Sequence, residues 1–141
     1  MYIYPMNWAS LYTTRRTGDA EQKSTNNDVV RNSFLRDYDR VIFSSAFRRL
    51  QNKTQVFPLP GAIFVHNRLT HSLEVASVGR SLGKAVGEQI AEKYNNETPA
   101  FIEFYKYELA SVIASACLAH DIGNPPFGHS GEGLNTRYRR K

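Results

Sequence analysis

The sequence predicts an all-α fold, and three observations carry that expectation. Apolar residues recur every three to four positions over long stretches, which is the helical period. Clusters of Gly, Pro and Asn interrupt those stretches at Phe57 to Gly61, at Asn95 to Pro99 and at Gly123 to Pro126. No segment alternates apolar and polar residues as a half-buried strand does, and the only strand-like stretch, Ala62 to Val65, is short.

The polar stretch from Thr13 to Ser33, with Gly18, Asn26 and Asn27, reads as a loop or linker. A first helix is expected from about Arg36 to Gln51, where Phe43, Ala46, Phe47 and Leu50 fall at helical spacing. Phe57-Pro58-Leu59-Pro60-Gly61 then demands a turn. A second helix fits Arg68 to Tyr94 and ends at Asn95-Asn96-Glu97-Thr98-Pro99. A third fits Tyr107 to Asp121, stopped by Gly123-Asn124-Pro125-Pro126, and a fourth starts after Gly128 with Ser130 as N-cap. This divides the chain into an N-terminal segment over 1–35, a helical domain over 36–136 and a basic tail over 137–141.

A length of 141 residues with 41% apolar content suits one small domain. No run approaches the ~18 consecutive apolar residues that span a bilayer. The opening residues lack the basic start and apolar core of a signal peptide, and a lone cysteine, Cys117, cannot form an internal disulfide. The cytoplasm is the expected location. The net charge of +5 invites a nucleic-acid reading, but Arg137, Arg139, Arg140 and Lys141 account for most of it. Without those four, 14 basic residues face 13 acidic ones, so the body is close to neutral.

Two helices carry the chemistry. His71, Val75, Val78 and Leu82 step by four, three and four residues, as do Leu109, Ile113, Ala116 and His120. Each set lies on one helical face, so both imidazoles are expected to point inward. An inward imidazole nitrogen without a partner costs about 1–3 kcal/mol, so each ring needs a hydrogen bond or a metal. Asp121 follows His120 directly and either closes its own helix end or shares a cation with the two histidines. Mixed imidazole and carboxylate ligation suits manganese, iron, magnesium or zinc.

The segments FRRLQNKTQVFPL, HNRLTHSLEVASVGRSLG and LAHDIGNPPFGHSGE resemble the signature segments of the dGTP triphosphohydrolases, in the HD superfamily of metal-dependent phosphohydrolases. The resemblance implies an HD-domain helical bundle, of which this chain holds the N-terminal portion. It implies a divalent metal, manganese or magnesium ahead of iron or zinc, held by His71, His120 and Asp121, with a fourth ligand downstream of Lys141. It implies a deoxynucleoside triphosphate substrate, dGTP favoured, cleaved by water attack on the α-phosphorus to deoxynucleoside and triphosphate. Members also form homo-oligomers, and some respond to single-stranded DNA or to nucleotide effectors.

The same resemblance marks His129 and Glu132 as catalytic, although Ser130 and Glu132 can also be read as helix-start caps. Arg68 lies one turn before His71 and suits bidentate phosphate binding, or a surface salt bridge. His66 is expected at a phosphate or behind the metal ligands. Gln55 and Arg48 fall in the sugar- and base-facing segment, though Arg48 equally fits a solvated helix face. Asn124 either contacts phosphate or caps the preceding helix. Pro125 and Pro126 are expected to stiffen the loop before His129, and Phe127 to plug the core. The competing functions are another HD-type nucleotide phosphohydrolase and a non-catalytic nucleic-acid-binding or regulatory fragment.

Overall fold

The computed structural model describes residues 6–11, 13, 33–55 and 66–124. Among the described residues five α-helices run in order: α1 (Ser33–Phe43), α2 (Ser45–Arg48), α3 (Arg68–Lys93), α4 (Pro99–Glu103) and α5 (Leu109–Ala119). Trp8–Ser10 and Arg49–Asn52 form 3-10 turns, and Phe104–Glu108 is a π-helical turn that joins α4 to α5. The fold is all-α. Among the described residues the only β-type pairing is an isolated bridge between Thr54 and Asn67, and no helix is long and apolar enough to cross a membrane. The polar loop between Thr13 and Ser33, the Phe57–Gly61 turn, the Ala62–Val65 stretch, the helix after Gly128 and the basic tail lie outside the described residues.

The first expected helix is two helices. Ser44 sits at the break: its hydroxyl donates to the Val41 carbonyl at 2.8 Å and accepts from the Phe47 N–H at 3.1 Å. It thus closes α1 and N-caps α2. The break changes the phase of the face, so Phe43 is 68% exposed while Phe47 and Leu50 are buried. The third expected helix begins earlier than Tyr107. Thr98 accepts from the Phe101 N–H at 3.3 Å and Pro99 occupies the first turn, a start signal as well as the end of what precedes it.

The inward face of α3 is not the one expected. Val78 and Leu82 are each 61% exposed, and His71 and Val75 are half-buried. The buried stripe is Ser72, Ala76, Gly79, Gly83, Gly87, Ile90 and Ala91. Its small residues let the backbone of α3 approach α5 and the π-turn closely. A Cβ on Gly83 would stand 3.2 Å from the Ala110 Cα and 2.9 Å from Ile113 Cδ1, and one on Gly87 would run into the Tyr105 carbonyl. Contact between backbones has displaced contact between large side chains.

The expected face of α5 is likewise turned. Ala116 and His120 are exposed and Leu109 and Ile113 half-buried, while Ala114, Leu118 and Asp121 form the buried stripe. Phe47, Leu50, Ala76 and Leu118 form one core cluster. This cluster locks the start of α3 against the end of α5, the two places that carry the histidines. A second cluster of Ile90, Ala91, Phe101 and Tyr105 holds the far end.

Candidate metal centre

Asn67 starts α3 by accepting the Thr70 N–H at 2.9 Å on its side-chain oxygen. Arg68 is therefore the first residue of the helix and His71 lies in its first turn. On the other side, α5 ends at Ala119, and His120 and Asp121 follow immediately. Gly123 then adopts a φ of +80°, a left-handed conformation that favours glycine and turns the chain away from the helix.

Asp121 is the buried member of the group, with its side chain 5% exposed. Its Oδ1 accepts from Arg68 Nη1 at 2.8 Å and from Asn124 Nδ2 at 2.5 Å. Its Oδ2 is buried and has no hydrogen-bond partner. His120 Nε2 stands 3.6 Å from that oxygen. Burying a carboxylate oxygen uncompensated is costly, and a cation on Oδ2 removes that cost.

His120 does not point into the core as expected. Its side chain is 36% exposed, because the buried stripe of α5 runs through Leu118 to Asp121 instead. Its ring is nonetheless fixed: Nδ1 lies 2.7 Å from the Cys117 carbonyl. A carbonyl only accepts, so Nδ1 carries the proton and Nε2 presents its lone pair. The His71 and His120 rings stand 5.3 Å apart, nearly perpendicular. One ligand atom from each of His71, His120 and Asp121 falls within 4.8 Å of the others. The donor set, the bare Oδ2 and the fixed imidazole fit a divalent cation.

Arg68 pairs with Asp121, across 53 positions of sequence, rather than with a surface carboxylate, and is 25% exposed. Asn124 turns its amide to the same oxygen rather than standing apart. His66 is half exposed and its Nε2 lies 3.2 Å from Glu74 Oε2. Its ring centroid is 6.2 Å from that of His71. The Gln55 N–H donates to the His66 carbonyl at 3.0 Å, and Gln55 Oε1 is buried without a partner. Arg48 is exposed at the end of α2, and among the described residues it makes no hydrogen bond or ion pair with the other candidates. His129 and Glu132, together with Pro125, Pro126 and Phe127, lie outside the described residues. Sequence reasoning missed Glu74. Its spacing of three from His71 was a usable signal, since i and i+3 side chains share a helix face.

The HD domain family model matches residues 68–139. A deoxyguanosinetriphosphate triphosphohydrolase-like protein of Synechocystis is 49% identical over 127 residues, which are 90% of this chain and 27% of that protein. One from Pseudomonas aeruginosa is 52% identical with the same coverage. A deoxyguanosinetriphosphate triphosphohydrolase of Klebsiella pneumoniae is 42% identical over 142 residues, 96% of this chain and 26% of that protein. This chain thus spans about a quarter of the length of these relatives. The match runs from Arg68 at the head of α3, through the His120–Asp121 pair, to Arg139, and on it the chain belongs to the HD domain family.

Proposed function

We propose that this chain carries part of the active centre of a metal-dependent phosphohydrolase that converts deoxynucleoside triphosphates, dGTP foremost, to deoxynucleoside and triphosphate. The observation that carries this reading is the convergence of His71, His120 and the buried, half-satisfied Asp121 on one point. The kinship with deoxyguanosinetriphosphate triphosphohydrolase-like proteins supports the substrate class.

A divalent ion held there, manganese or magnesium ahead of iron or zinc, supplies Lewis-acid polarisation of a phosphate oxygen. His120 Nε2, His71 and Asp121 Oδ2 would hold it. The remaining work belongs to the side chains. Arg68 engages Asp121 through Nη1, and its planar fork has further N–H groups with which to grip a phosphate oxygen. Asn124 steadies the same carboxylate and is a second candidate for a phosphate contact. His129, oriented by Glu132, delivers a proton to the leaving 5′-oxygen. Gln55 offers an unpartnered amide oxygen for the sugar, His66 is joined to it by a backbone hydrogen bond, and Arg48 is the remaining substrate-binding candidate. The basic tail, a single-stranded DNA effector and an oligomeric state carry no part of this reading.

The test is product analysis. This chain, and the full-length Synechocystis relative as reference, are incubated with dGTP, dATP, GTP or a cyclic nucleotide in manganese or magnesium. Intact triphosphate from the deoxynucleotides is expected. Orthophosphate as the primary product, or turnover of the cyclic nucleotide alone, moves the assignment to another HD-type phosphohydrolase.

A further inference from the structure

We propose a second cation position on the rim of this centre, formed by His66, His71 and Glu74, that takes an imidazole-binding transition metal such as Zn²⁺. Its placement follows from two constraints. His66 is the last residue before the α3 N-cap, and its backbone is held by Gln55, whose N–H donates to the His66 carbonyl at 3.0 Å, while the neighbouring Arg68 N–H donates to the Lys53 carbonyl at 2.9 Å. His71 and Glu74 then follow one turn apart on α3. One ligand atom from each of the three lies within 4.8 Å of the others, and His66 Nε2 already faces Glu74 Oε2 at 3.2 Å.

Two imidazoles and one carboxylate with positions left open to water form a donor set suited to Zn²⁺, Co²⁺ or Ni²⁺. The rim position differs from the inner one in its surroundings. Glu74 is 65% exposed, whereas Asp121 is 5% exposed and already carries Arg68 and Asn124. The rim is therefore open to exchange with bulk metal.

The two positions share His71. A neutral imidazole has one lone pair for coordination, its other nitrogen being protonated. One ion can use His71 toward Asp121, or toward Glu74, but not both at once. Zn²⁺ on the rim thus competes with the ion of the inner position for His71, and filling one triad empties the other. The inference uses the ligand geometry alone and stands apart from the choice of substrate.

The test is a Co²⁺ titration of the chain, read by visible absorption, with circular dichroism to monitor the fold. His120→Ala, at an exposed position, disables the inner triad and leaves the rim intact. This variant is expected to retain one Co²⁺, displaced by Zn²⁺. Adding His66→Ala or Glu74→Gln should weaken that binding by at least about tenfold, the loss seen even for partners behind a metal ligand. Both added changes are at exposed sites whose ion pair contributes little to stability, so the fold is preserved. His120→Ala binding that ignores His66→Ala and Glu74→Gln overturns the proposal, as does a folded His120→Ala chain that takes up no Co²⁺. Two ions bound together by the unaltered chain overturn the competition for His71. Absence of triphosphate product in the assay above leaves these readouts unchanged.

Discussion

Replacing Arg68 with Met keeps a long apolar stem and removes the guanidinium from Asp121 Oδ1. Asp121, 5% exposed in the unaltered chain, is then left with Asn124 as its hydrogen-bond donor and with Oδ2 still bare. Removing one partner of a fully buried pair costs ~3–5 kcal/mol. Arg68 is 25% exposed, so water screens part of that loss, and ~2 kcal/mol is the expected deficit in chelator. A divalent cation at Oδ2 replaces the missing positive charge. In saturating Mn²⁺ the deficit should narrow by at least ~1 kcal/mol, which by linkage means about fivefold tighter Mn²⁺ binding to Arg68→Met than to the unaltered chain. Urea unfolding followed by circular dichroism, in EDTA and in Mn²⁺, measures the first quantity, provided the m-values agree. Direct Mn²⁺ titration measures the second. Equal deficits with and without metal, or no deficit in EDTA, would show that Asp121 is not a buried charge awaiting a cation.

Three further outcomes follow from the same structure. Gly87→Ala places a methyl against the Tyr105 carbonyl; overpacking of ~1–3 kcal/mol should outweigh the ~1 kcal/mol gained in helix propensity, and a raised melting temperature by circular dichroism would contradict the close approach of α3 to the π-turn. Leu82→Lys, at a position 61% exposed, should change urea stability by no more than ~0.5 kcal/mol; a loss several times larger would mean that this face of α3 is buried after all. His129→Gln should lower triphosphate release by about 10²–10⁴-fold while Mn²⁺ affinity stays unchanged, and a parallel loss of metal would make His129 a ligand instead of a proton donor.

The helical class, the breakers that end α3 and the start of α3 at Asn67–Arg68 were legible in residue order, because caps, prolines and glycines act locally. That His71, His120 and Asp121 were candidates for one cluster was legible too, from residue type and short spacing, and the structure brings a ligand atom of each within 4.8 Å of the others. The break at Ser44 was harder to see: Phe43, Ala46, Phe47 and Leu50 keep helical spacing through it, and only the two hydrogen bonds of the serine reveal the interruption.

Burial is where residue order misled. Periodicity says which residues share a face, but it does not say which face meets a neighbour. On α3 two faces compete, one bearing Val78 and Leu82 and one bearing Ala76, Gly79, Gly83 and Gly87, and the smaller residues won because they admit a backbone at close range. On α5 the same ambiguity placed His120 at the surface and Asp121 inside. The pairing of Arg68 with Asp121 joins residues 53 positions apart, a contact that no local pattern encodes. Local chemistry thus named the candidate ligands, while the packing of α3 on α5 chose which of them lost water, and that loss of water leaves Asp121 Oδ2 buried without a hydrogen-bond partner.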